Sequence, residues 1–140
     1  MWKRCRRWSG LVVVIAMVAV GCSAPPEPPL PQTYPVSGTV TYKGGEAVPT
    51  GTISFRQAGG ADSLLLINGE IDDGTFTLST QRATGSFQRV DGAPEGAYQV
   101  TIIPTSGQEH GIQSVTWPTP VKIAAKENEL KFAIEKPKKR

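Results

Sequence analysis

Ile71-Asp72-Asp73-Gly74-Thr75-Phe76-Thr77-Leu78-Ser79 sets an Asp-Gly step between two runs of β-forming residues. Glycine accepts a positive φ without steric penalty, so this stretch predicts a β-hairpin. Upstream of the step, residues 64–67 form a continuous apolar run that resumes after Asn68-Gly69 at Ile71, which extends the first arm. The same punctuation recurs on both sides. Toward the amino terminus, Val36, Val40 and Tyr42 alternate with Ser37, Thr39 and Thr41, the period of a half-buried strand. Lys43-Gly44-Gly45-Glu46 supplies a turn, and Thr52-Ile53-Ser54-Phe55 begins a second alternating run that Gly59-Gly60 ends.

Toward the carboxyl terminus, a polar stretch over residues 80–95 precedes Tyr98, Val100 and Ile102, which alternate with Gln99 and Thr101 until Pro104 stops the strand. Val115 and Trp117, then Val121 and Ile123, can face inward around Pro118 and Pro120, because proline is tolerated at sheet edges and strand ends. Leu130, Phe132 and Ile134 alternate with Lys131, Ala133 and Glu135. No segment shows a helical period, and there is no internal repeat. The pattern predicts an all-β fold, an antiparallel sandwich of about seven strands of the Ig-like or transthyretin-like kind.

A chain of 140 residues accommodates one small domain with an extension and excludes a multidomain enzyme. The formal charge of +3 is misleading, because Lys3, Arg4, Arg6 and Arg7 crowd the amino terminus; 15 less these four leaves 11 cations against 12 carboxylates, or −1. A nearly neutral body argues against nucleic-acid binding, which needs a basic face.

Residues 1–9 are cationic, residues 11–20 are apolar, and Gly21-Cys22-Ser23 follows. That is the order of a secretory signal peptide. The apolar stretch is too short for a spanning helix, which needs about 20 residues. Ala19-Val20-Gly21-Cys22 resembles the lipobox of bacterial lipoprotein precursors, which implies that Cys22 receives a diacylglyceryl group. Ala19 stands where that family usually has leucine. Cys5 leaves with the leader, so the mature chain forms no internal disulfide. Residues 23–32 carry five prolines, which exclude a helix and predict an extended tether. In polyproline II geometry, at about 3.1 Å per residue, the tether spans roughly 30 Å. The expected organisation is a signal peptide over residues 1–21, lipidated cysteine and tether over 22–33, a β-sandwich domain over 34–135 and a basic tail over 136–140.

Several stretches carry a further resemblance. They are Tyr34-Pro35-Val36-Ser37-Gly38-Thr39-Val40-Thr41-Tyr42-Lys43-Gly44-Gly45, Gly51-Thr52-Ile53-Ser54-Phe55, Gly69-Glu70-Ile71-Asp72-Asp73-Gly74-Thr75-Phe76-Thr77-Leu78, and Asp91-Gly92-Ala93-Pro94-Glu95-Gly96-Ala97-Tyr98-Gln99-Val100. Together they resemble small planctomycete lipoproteins with a carboxypeptidase-regulatory-like, transthyretin-like domain. The resemblance implies a noncatalytic sandwich and transfers no catalytic or ligand-binding residue beyond the lipidated cysteine.

Read for chemistry, the chain offers isolated groups. His110 is the only histidine, and the mature chain lacks the His and Cys partners a zinc site needs. A Ser-His triad would have to join His110 to Ser106 or Ser114, yet no Gly-x-Ser-x-Gly elbow is present. Glu70, Asp72 and Asp73 could offer oxygens to calcium but lack EF-hand spacing, so a hairpin turn explains them better. Asp91, Glu95 and Glu109 could pair as glycosidase carboxylates only across a cleft. Asp91-Gly92 and Glu95-Gly96 read more simply as loop formers. No catalytic residue, metal site or cofactor is expected.

Trp117 is the only tryptophan left after processing; core packing is its default role, and an exposed sugar-stacking platform is the alternative. Lys136-Pro137-Lys138-Lys139-Arg140 could touch anionic lipid or envelope polymer, or serve as a solubilising end. The sequence therefore predicts an exported, noncatalytic module, lipid-anchored to the outer membrane or a periplasmic face. Its partners are the membrane through the lipid, with an envelope protein or polysaccharide beyond it. Ser23 fits that placement, since enterobacterial lipoproteins retained at the inner membrane carry Asp after the cysteine. The alternative is a carbohydrate-binding module centred on Trp117.

Overall fold

The computed structural model describes residues 21–23, 25–26, 29–59, 64–85, 88–105 and 113–136. Residues 1–20, which hold most of the expected leader, lie outside the described residues, as do residues 137–140 of the basic tail. Among the described residues the chain forms ten strands and no helix. They are β1 (Val36–Tyr42), β2 (Thr50–Gln57), β3 (Leu65–Asp72), β4 (Thr75–Thr77), β5 (Ser79–Arg82), β6 (Arg89–Asp91), β7 (Gly96–Pro104), β8 (Val115–Thr116), β9 (Val121–Ile123) and β10 (Asn128–Ile134).

The hairpin read from Asp73-Gly74 joins β3 to β4 through a two-residue turn, with Asp72 opposite Thr75. Asp73 has φ 47° and Gly74 φ 77°. Two successive positive φ values match a type I′ turn, whose twist suits the flanking strands. The tip is tied down on three sides. Asp73 N–H donates to the Pro49 carbonyl at 2.8 Å, Gly74 N–H to the Val48 carbonyl at 2.8 Å, and Val40 N–H to the Gly74 carbonyl at 2.7 Å.

All ten strands join one hydrogen-bonded sheet whose main path runs β10-β1-β4-β3-β2-β7-β8; β5 pairs with β3 and β6, and β9 pairs with β7. Alternate residues of β1, β2, β3 and β7 point inward, including Val40, Ile53, Phe55, Ile67, Ile71, Val100 and Ile102, all buried. The sheet curls so that this face closes on itself. Phe132 of β10 meets Phe55 of β2 at 6.5 Å between ring centroids, although three strands separate them in the sheet order. It also meets Phe76 of β4 at 6.0 Å and Trp117, just past β8, at 4.9 Å and 81°. Edge-to-face aromatic pairs contribute about 0.5–1.5 kcal/mol each beyond burial, so Phe132 is the hub that holds the two edges of the sheet together.

Gly38 makes that hub possible. A side chain there would strike the Leu130 carbonyl of β10 and lie 2.8 Å from the Phe76 ring. β10 and Phe76 can therefore close over β1 only because this position carries no Cβ.

The all-β class agrees with the expectation and the curled sheet is consistent with a sandwich-like class, but the sheet is mixed and an antiparallel sandwich of about seven strands is not confirmed. β1 and β10 pair in parallel over their full length, from Val36↔Asn128 to Tyr42↔Ile134. These are the first and last strands, so no tight turn dictates their relative sense. The additional strands are short. β5 begins just before the stretch that reads as polar and β6 lies within it; β5 holds buried Ser79 and Thr80 where alternation would place apolar residues. Thr80 is accommodated because its Oγ1 donates to the Gly92 carbonyl at 2.8 Å.

Candidate functional site

The chain enters the sheet just before β1. Tyr34 N–H donates to the Ala93 carbonyl at 2.9 Å, Ala93 N–H returns a bond to the Tyr34 carbonyl at 3.0 Å, and Thr33 Oγ1 donates to the Asp91 carbonyl at 2.8 Å. Upstream of this anchor the backbone of residues 29–33 forms no strand. Cys22 is exposed, with Ser23 N–H bonded to the Gly21 carbonyl at 2.8 Å. Among the described residues no helix is long and apolar enough to cross a membrane.

Trp117 is partly buried. Its ring packs edge-to-face with Phe132, its backbone N–H donates to the Val100 carbonyl at 2.8 Å, and its backbone carbonyl accepts from Gln99 Nε2. The ring thus contributes to closing the sheet through its contact with Phe132, while part of it stays exposed.

The acidic candidates separate. Asp73 sits at the turn tip, while Glu70 and Asp72 point outward from β3. With Glu129 of β10 they edge a shallow depression of about 390 Å³, together with Ser37, Thr39 and Thr77. Its polar side chains are carboxylates and hydroxyls, beside Phe76 and Gly38. Among the described residues no group of three or more His, Cys, Asp or Glu is placed to hold a metal ion. Asp91 is exposed on β6 and Glu95 in the turn before β7. Ser114 is exposed; Ser106, Glu109 and His110 lie outside the described residues.

A second depression, of about 410 Å³, lies between the turn after β1 and the end of β10. Lys43 Nζ meets Glu135 at 2.9 Å and Lys136 Nζ meets Glu46 at 2.7 Å, with Lys136 also 5.7 Å over the Tyr42 ring. The Glu46 carboxylate, by its hydrogen bond and then its charge, raises the Lys136 pKa above 10.5. The first residue of the basic tail is thus held at the end of the sheet opposite the Thr33 anchor.

Sequence reading missed a row on the outer face. Leu66 of β3 lies opposite Gln81 of β5, and Gln81 lies opposite Arg89 of β6. On the other side the β2–β3 register, ending at Phe55↔Ile67, brings the outward Arg56 beside Leu66. Only the unalternating leucines at 64–66 hinted at it. No known protein family, curated protein or solved structure matches the chain.

Proposed function

We propose that this chain is a lipid-anchored, noncatalytic module of a bacterial cell envelope, exported and held through acylated Cys22 on the outer membrane or a periplasmic face. The observation that carries the reading is the junction at Gly21-Cys22. A cationic and apolar leader precedes it, a proline-rich tether follows it, and the tether runs into the sheet at the Tyr34–Ala93 bridge. One acyl chain binds a membrane only marginally and two or more hold it stably, so the two or three chains of a lipoprotein would fix the location. The curled sheet supports a sandwich-like domain of the carboxypeptidase-regulatory-like, transthyretin-like kind, and the glycine turns support kinship with small planctomycete lipoproteins. Its partners in this reading are the membrane and an envelope protein or polysaccharide.

Intact-mass spectrometry of the protein purified from native membranes tests the reading. The expected species begins at Cys22 and carries diacylglyceryl and acyl mass. Cys22→Ala is expected to lose palmitate labelling and to leave the membrane fraction. An unmodified chain, or unchanged retention of the variant, would sink the proposal.

A further inference from the structure

We propose that the outer face of β2, β3, β5 and β6, at the end where the chain enters the sheet, is a lipid-contact surface. In this arrangement Leu64 and Leu66 sit at the headgroup boundary of an anionic bilayer, and Arg56 and Arg89 meet its phosphates. The inference rests on the lipid-anchor reading and extends it from a tether to an orientation.

Among the described residues, Leu64 and Leu66 are the large hydrophobic side chains left exposed, at 60% and 44%. Both point outward from the same strand or its threshold, while Ile67 and Ile71 point into the core. Isolated surface leucines need no explanation, but this pair has a particular setting. The cross-strand order Arg56, Leu66, Gln81, Arg89 puts a guanidinium on each side of the apolar pair. Arg89 is held flat against the sheet, its Nε donating to Ser79 Oγ at 2.7 Å. Apolar side chains rimmed by cations have the composition of surfaces that lie at an anionic membrane interface. On the outer face, Glu70 and Asp72 lie four and six residues along β3 from Leu66 and, with Glu129, which pairs with Ser37 near the start of β1, surround the shallow depression; exposed Asp91 stands two residues from Arg89 on β6.

The tether supplies the second argument. Thr33 bonds to Asp91, two residues along β6 from Arg89, a separation of about 7 Å at the usual rise per residue of a strand. Cys22 stands 11 residues before Thr33, so the lipid is attached at this end of the sheet and not at the Lys136 end, and the tether is long enough to let this end reach the bilayer. The point of lipid attachment, the exposed leucines and the two arginines therefore coincide at one end of the domain.

The test uses the full acylated protein reconstituted into phosphatidylcholine–phosphatidylglycerol vesicles. A fluorophore is placed on Leu66→Cys or, at the opposite end of the same face, on Thr75→Cys; both positions are exposed, and Cys22 is blocked by its lipid. Acrylamide quenching is expected to be several-fold weaker at position 66 than at 75. The difference is expected to vanish when Leu64→Asn and Arg56→Gln are added. Equal quenching at 66 and 75 would overturn the proposal, and so would protection of 66 in native membranes but not in protein-free vesicles, which would assign the face to a protein partner. Intact mass of the same samples reports acylation separately, so failure of the anchor and failure of the docked face give different results.

Discussion

At the Asp73-Gly74 end, backbone bonds from three directions fix the turn, and the Lys43–Glu135 and Lys136–Glu46 pairs lie beside it on the surface. At the opposite end the first strand is held by the reciprocal Tyr34–Ala93 bonds and by Thr33 on Asp91, with two leucines left outside. One end is shaped by a local turn whose residues are adjacent in sequence. The other depends on segments about 58 residues apart brought together by the fold, as Thr33 and Asp91 are. The difference predicts that equal chemical insults at the two ends have unequal consequences.

Gly92→Ala and Gly74→Ala make the sharpest form of that contrast. Gly92 has φ 90° and Gly74 φ 77°, so each substitution costs about 1–2 kcal/mol for the left-handed backbone alone. At Gly74 the added Cβ would lie 2.8 Å from Ala47 Cβ, whereas at Gly92 it would strike the Tyr34 carbonyl itself. A side chain can shift more easily than a hydrogen-bonded backbone, so overpacking adds about 1–3 kcal/mol, with the larger share expected at Gly92. Urea denaturation is expected to rank Gly92→Ala as the less stable. Limited proteolysis is expected to open the chain near Thr33 in that variant alone; cleavage there in Gly74→Ala as well would break the comparison.

Trp117→Ala tests the seam between the two edges of the sheet. Removing a fully buried tryptophan costs about 3–5 kcal/mol, and Trp117 is only partly buried, so a loss of about 2 kcal/mol is expected by circular dichroism. A variant as stable as the wild type would mean that Phe132 closes the sheet without it.

These regions also differ in how openly the sequence announced them. Asp73-Gly74 was legible because turn chemistry is local: the residue types that accept positive φ sit between two runs of β-formers. Alternation revealed β1, β7 and β10 but not their pairing, since a strand's buried face carries no mark of its neighbour's direction; hence the parallel β1–β10 pair was not foreseen. β5 was hidden because Ser79 and Thr80 are buried and polar, tolerated only through a distant glycine carbonyl in the case of Thr80, and β6 because its 3 residues include none that is buried. The Arg56–Leu66–Gln81–Arg89 row was illegible for the same reason, being a product of register across four strands. Cys22 was the opposite case, a candidate carried by contiguous sequence and owing nothing to the fold.

Tyr98 offers a subtler probe of the anchored end. Its ring is buried against Phe55 at 6.0 Å, and its hydroxyl donates to the Pro94 carbonyl at 2.8 Å, close to where Ala93 holds Tyr34. Burial raises the phenol pKa above 10.0. The folded state therefore keeps a proton that the unfolded chain loses near pH 10.0, so this contribution to stability is complete below that pH and is lost as pH rises through the folded value. Tyr98→Phe is expected to cost about 1 kcal/mol at neutral pH through the lost hydrogen bond. It is also expected to flatten the fall in stability above pH 10.0, seen in urea midpoints across an alkaline series. An unchanged alkaline slope would show that other groups govern it.

Glu46→Gln, at the opposite end, is expected to do least. Both members of the Lys136–Glu46 pair are well exposed, and water and salt screen such pairs even at 2.7 Å. Lys136 has its pKa raised above 10.5 by Glu46, so the sign matches that of Tyr98, with stabilisation present below the unfolded value and lost as pH rises through the folded one. The contribution is too exposed to move an unfolding midpoint measurably, yet the lysine titration, followed by NMR, is expected to return toward 10.5 in the variant. A changed titration with an unchanged midpoint would show that this charge-rich end depends on its backbone bonds. A fall in the midpoint would instead make the ion pair a structural tie, and the contrast between the two ends would have to be redrawn.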